Sequence, residues 1–325
     1  MYSHRIIRYS TVLPEVTGVT AVIHIWRKSE NCPPMVDTVD HFTPLAILAK
    51  MSRSSEFLKC FWDLAADDIT VRLQAVDRIV HHLEGNAHQD DFDYSIKRLV
   101  KGLSSSRESA RLGFSTCLTC MLIKYPKMIS METILTYSDE YTQITGSAKG
   151  MDERDMMFGK IFCYLSILRS GRLNENTNAN LALSVLDKII EIHELRGWIR
   201  EVTVEAMHSF LAATHSNHGI LKGAFERIGN MVTDPVGELS AWQIVLLMGL
   251  RPWLSSLPST LRSKCDDLDF HSDPKQILDS ISETLLSATS GFPKIHRIWE
   301  FLIGEIVSLD EQRMLPTTRY CTFYS

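Results

Sequence analysis

The chain has 325 residues, a formal net charge of −5 and 45% hydrophobic residues, an ordinary globular composition with ample material for a core. That acidity gives no basis for generic nucleic-acid binding, and no run of about 18 or more apolar residues is present to span a bilayer. Seven cysteines, odd in number and scattered mostly along apolar stripes, read as reduced thiols of a nuclear or cytosolic compartment rather than a disulfide frame.

The first segment, residues 1–52, begins "MYSHRIIRYSTVLPEV", without the apolar core of a secretory signal. Within it "VTGVTAVIHIW" has strand character, but "SENCPPMVDTVDHFTP" is turn-like. The segment is expected to be an atypical, poorly ordered extension. From Glu56 onward the period becomes helical. Phe57, Leu58, Phe61, Trp62 and Ala65 predict a short helix stopped at Asp67-Asp68. Ile69, Leu73, Val76, Ile79, Val80 and Leu83 predict the next, stopped by Gly85-Asn86.

The stretch "YSIKRLVKGLSSSRESARLGFSTC", residues 94–117, places two helices around three serines. Phe92, Ile96, Leu99, Val100 and Leu103 form one apolar face, with Lys97, Arg98 and Lys101 off it. Ser105 and Glu108 have the spacing of a capping box. Ala110, Phe114, Cys117, Leu118, Met121, Leu122 and Tyr125 continue at helical spacing until Pro126. Gly113 inside this helix costs about 1 kcal/mol relative to alanine, which a close helix approach would offset. The unit is an αα-hairpin.

Further helices are predicted over 158–168, ending at Ser170-Gly171, over 182–193, closed by Gly197, and over 199–210. Others follow over 220–231, 240–250, 274–287 and 294–308, with Asp273-Pro274 capping the third of these four. Roughly a dozen helices with short connections and no convincing strand after residue 52 predict an all-α fold. The expected architecture is an α-solenoid of irregular HEAT or armadillo-type hairpins over residues 53–308. Residues 309–325, "LDEQRMLPTTRYCTFYS" from Leu309, lack a helical stripe and read as an irregular tail, a truncation within a longer array.

Catalytic chemistry finds little support. Asp90-Asp91-x-Asp93 and Asp266-Asp267-x-Asp269 are contiguous, whereas two-metal nucleotidyl transfer needs carboxylates converging from separate rigid elements. Helix capping and the macrodipole explain such runs in about 90% of cases. Cys117-x-x-Cys120 lies mid-helix without further ligands, and reads as core thiols at similar odds, about 90%. His81, His82 and His88 suit a helix end, and His193-Glu194 lacks the second histidine of a zincin. No phosphate loop or nucleophile elbow appears, so no catalytic residue, metal, cofactor or small-molecule substrate is implied.

The basic junction carries the one candidate surface. Lys97, Arg98 and Lys101 are expected to be exposed and available to a phosphate backbone or an acidic partner. Arg107, Glu108 and Arg111 are expected to act as a structural clamp, with Arg107 and Arg111 partly buried and bonded to protein groups. A purely structural role for the whole cluster is the more common outcome, at about 60%, since charge near helix ends is routine.

The blocks "CFWDLAADDITVRLQAVDRIVHHL", "YSIKRLVKGLSSSRESARLGFSTCLTCML", "ERDMMFGKIFCYLSILRSGRL" and "GWIREVTVEAMHSFL", followed by "FPKIHRIWEFLI", occur in that order between residues 56 and 305. They resemble the DNA polymerase V / Myb-binding protein 1A family. The resemblance implies a nucleolar, non-enzymatic helical-repeat scaffold in ribosomal DNA transcription and ribosome biogenesis. It also implies protein partners, Myb-type activators among them, with ribosomal DNA as a further contact and no membrane. Members of that family are longer and carry a Lys/Arg-rich C-terminal tail that serves nucleolar targeting. This chain shows no such tail and reads as an N-terminal part. Two other readings stay open: a DNA polymerase, as the family name implies, and a generic armadillo-type protein-binding scaffold.

Overall fold

The computed structural model describes residues 55–85, 89–143, 150–174, 177–270, 272–289 and 297–313. Every regular element among these residues is helical, and no strand occurs. The helices divide into two compact units, residues 1–172 and 173–325.

The first unit holds α1 (Ser55–Asp63), α2 (Ile69–Gly85), α3 (Gln89–Gly102), α4 (Glu108–Lys124), α5 (Met131–Tyr141) and α6 (Gly150–Arg169). Chain neighbours pair as α1 on α2, α3 on α4 and α5 on α6. Across pairs, α2 packs on α4 and α4 on α6, while α3 packs on α5. α4 is therefore enclosed, and its buried residues include Arg111, Ser115, Thr116 and Thr119 as well as the predicted apolar stripe. Its buried hydroxyls avoid a desolvation penalty by bonding locally. Thr116 donates to the Leu112 carbonyl at 2.8 Å and Thr119 to that of Ser115 at 2.9 Å, and the Ser115 and Ser166 hydroxyls meet at 3.2 Å.

Two glycines allow this enclosure. A Cβ at Gly113 would fall onto the carbonyl oxygen of Leu64, at the end of α1, which is the close approach that the mid-helix glycine predicts. A Cβ at Gly102 would strike the Phe114 ring, which lies buried at 8% exposure between α4 and the end of α3. Gly171, with φ of 69°, stops α6 where the sequence expects it.

The second unit contains α7 (Ala179–Leu195), α8 (Arg200–Ala213), α9 (His218–Met231), α10 (Ala241–Met248), α11 (Ser259–Asp267), α12 (Pro274–Thr289) and α13 (Ile298–Arg313). Short 3-10 turns run over Gly197–Ile199, Val236–Glu238 and Arg251–Ser256. α7 pairs with α8 and α9, and α9 with α11. α10, apolar almost all round, forms the centre, touching α8, α11, α12 and α13. Ser240 and Gln243 form a capping box there, and the Gln243 amide also donates to the Met231 carbonyl at 2.9 Å. Asp273 caps α12 by accepting the Gln276 amide hydrogen at 3.0 Å, with Pro274 the first helical residue.

The sequence pattern misses α5 and α11. Both bury only a narrow row: Met131, Ile134, Leu135 and Ser138 in α5, Leu261 and Cys265 in α11. The last helix ends at Arg313, five residues beyond the predicted 308, so the segment from Leu309 begins as helix rather than tail. Residues 1–52, with their strand-like run, and residues 314–325 lie outside the described residues.

Candidate partner-binding surface

The serine junction is an interlocked turn. Ser105 accepts the backbone N–H of Arg107 at 3.2 Å, and Arg107 caps α4 without a side-chain bond. The predicted capping box between Ser105 and Glu108 does not form. Helix α4 begins two residues too late for Ser105 to be its cap, and Glu108 stands exposed in the first turn. Ser104 packs against Gly159 of α6, where any side chain at position 159 would collide with it.

The two arginines after the serines part company. Arg111 is buried at 8% exposure and donates to the Ser105 carbonyl at 2.8 Å. Its guanidinium lies 5.2 Å from the Phe158 ring centre on α6, so one side chain touches its own turn and the next hairpin. Arg107 is not partly buried as expected, its side chain being 55% exposed. It pairs with Asp67 at 2.9 Å, in the turn between α1 and α2, where Ser109 also donates at 2.9 Å. The Arg107 hydrogen bond holds the Asp67 carboxyl below its ordinary range. Such a solvated pair contributes little to stability, because water screens both charges.

The three cations of α3 point elsewhere. Lys97 and Lys101 are exposed and Arg98 is half-buried. Each sits over an aromatic ring. The Lys97 ammonium is 5.3 Å from the Tyr137 ring centre and that of Lys101 is 4.3 Å from Tyr141. The Arg98 guanidinium lies 5.3 Å from Phe61 and 5.6 Å from Trp62, and donates to the Tyr94 hydroxyl at 3.1 Å. Trp62, which the periodicity assigns to the apolar stripe of α1, is instead 72% exposed. Sequence reading finds the cations and misses their aromatic partners. Tyr137 and Tyr141, four residues apart on the unpredicted α5, were the available signal.

The remaining candidates resolve as structure. Burial pushes the Cys120 thiol up to about 11 and Cys117 well above its ordinary value, which makes both poor nucleophiles and ligands. Asp90 and Asp91 occupy the first turn of α3, while Asp93 accepts from the Gln89 amide at 3.0 Å. Asp266 and Asp267 end α11, and Asp269 faces Arg251 at 3.5 Å. Among the described residues no three His, Cys, Asp or Glu side chains converge as a metal site, and no helix is long and apolar enough to cross a membrane.

Comparison with known proteins gives this geometry a context. A family model described as DNA polymerase phi matches residues 94–316. The Myb-binding protein 1A-like protein of Danio rerio is 24% identical over 82% of this chain and 19% of its own. The rDNA transcriptional regulator pol5 of Schizosaccharomyces pombe is 29% identical over 64% of this chain and 21% of its own. Myb-binding protein 1A of Mus musculus is 32% identical over 44% and 10% respectively. The chain thus spans about a fifth or less of the length of these relatives. No solved structure matches it.

Proposed function

Because the chain belongs to the DNA polymerase phi family, we propose that it is a nuclear, nucleolar helical-repeat scaffold supporting ribosomal DNA transcription and ribosome production. The observation that carries this reading is the likeness, over most of the chain, to a protein named an rDNA transcriptional regulator. Likeness to Myb-binding proteins supports a share in transcription-factor contacts. The stacking of α2, α4 and α6 beside α3 and α5 in the first unit supports an irregular HEAT or armadillo-type solenoid. Lys97, Arg98 and Lys101 form the partner-facing cations of this scaffold. Arg111 holds the α3–α4 turn to α6, with Arg107 and the first turn at Glu108 as its solvated margin.

The family description names a polymerase, but the scaffold reading suits these residues better. Each aspartate cluster is local to one helix or its end, without the convergence from separate elements that two-metal chemistry requires. The test is chromatin immunoprecipitation of the tagged chain, with pre-ribosomal RNA synthesis measured in parallel. Enrichment on ribosomal DNA over other transcribed genes supports the scaffold, and uniform or absent recovery sinks it. Nucleotide incorporation on a primed template with magnesium or manganese, abolished by Asp91→Ala and Asp93→Ala, would establish the polymerase instead.

A further inference from the structure

We propose that the face built from α1, α3 and α5 is a binding site for single-stranded nucleic acid, with Trp62 as a base-stacking platform and Lys97, Arg98 and Lys101 as phosphate contacts. This rests on the reading of those cations as partner-facing and names the chemistry of the partner. The face alternates ring and cation across three helices: Trp62 beside Arg98, Lys97 over Tyr137, Lys101 over Tyr141. Single strands are held by this combination, in which exposed rings stack on bases and cations follow the backbone.

Three observations favour that ligand over its competitors. An indole 72% exposed presents ring surface on which a base can stack, whereas an acidic peptide would need only the cations. A duplex hides its base faces and is held through many phosphates, whereas this face carries three cations on an acidic chain. Lys97 and Lys101 are four residues apart on one side of α3, which sets them in line along the helix.

The experiment is fluorescence anisotropy of the full chain with labelled short oligo(U), oligo(dT) and a duplex of matching length, at low and physiological salt. Preference for a single strand over the duplex is expected, and the tighter of oligo(U) and oligo(dT) identifies which strand is taken. Trp62→Ala should weaken binding about tenfold, the effect of losing one stacked base, while Trp62→Phe retains most of it. Lys97→Ala and Lys101→Ala should each lower the salt slope by about 0.7. Photo-crosslinking of a thiouridine oligonucleotide to the unmodified chain should map to peptides of α1, α3 or α5, which frees the test from any variant's folding. Equal or tighter binding of the duplex, affinity indifferent to Trp62→Ala, crosslinks confined to other helices, or displacement by polyglutamate at matched charge would each overturn the proposal. Loss of ribosomal DNA enrichment alone would break the scaffold reading and leave this result standing.

Discussion

In the first unit, Lys97, Arg98 and Lys101 lie over aromatic rings at or near the surface, whereas in the second Arg251 and Arg297 point inward to carboxylates. Arg251 pairs with Glu305 and donates to the Leu268 carbonyl at 2.8 Å. Arg297 pairs with Glu205 at 3.0 Å, and its backbone N–H reaches Glu201 at 3.1 Å. The second unit also buries the imidazole of His193 and half-buries that of His208. His193 meets the Thr203 hydroxyl at 2.8 Å and the edge of Trp242, while His208 faces the Leu246 carbonyl at 3.1 Å. The same residue types therefore do opposite work. Cations facing rings stay at or near the surface, whereas those facing carboxylates inside fasten α13 to α8 and to the turn after α10.

Four experiments would break or sharpen that contrast. The largest effect is expected where the first unit is sealed. Phe114→Ala should destabilise it by about 3–5 kcal/mol, the range for aromatic truncation in a core, measured by denaturant unfolding. A loss below about 1 kcal/mol would mean the α3–α4 seam is not a packed core.

The second effect belongs to the second unit and to pH. Burial, with Arg200 nearby, lowers His193 from 6.5 to about 4. The unfolded chain therefore binds more protons between those values. Stability contributed by the neutral ring is present above about 6.5 and is lost as pH falls toward 4, on the order of 2–3 kcal/mol. Burial also lowers His208 and adds in the same direction. A pH titration of thermal stability should show the slope, and His193→Gln should flatten it. An unchanged slope in that variant would remove His193 as its source.

A middling effect is expected at Arg111. Arg111→Ala leaves the Ser105 carbonyl without its donor and should cost about 1–3 kcal/mol, whereas Arg107→Ala, which breaks only a solvated pair, should cost clearly less. Equal losses would erase the distinction between inner and outer arginine. The smallest effect is the joint change of Lys97 and Lys101 to Ala, which should cost less stability than any of the changes above. A larger loss would show that these cations serve folding rather than a partner.

Helix succession was legible because most helices bury a wide stripe, and the burial of Phe114 followed from its place on that stripe and that of Arg111 from its place beside it. Three features were not legible. Trp62 has stripe spacing but sits in the last turn of a short helix, where no later helix among the described residues covers it. α4 buries nearly its whole surface, so its Ser and Thr positions carry no polar-face signal. The Arg107 partner, Asp67, is forty residues upstream in another turn, and nothing local in either segment specifies the pairing.

The buried thiols give the chain a native set of chemical reporters. Cys117 and Cys163 in the first unit and Cys265 in the second are free and buried, with Cys163 pushed up to about 12 and Cys265 to about 11. A protonated, enclosed thiol does not react with an alkylating reagent until the surrounding helices separate. Mass-resolved labelling of the unmodified protein would then time the opening of each unit separately, at native conditions and without an introduced probe.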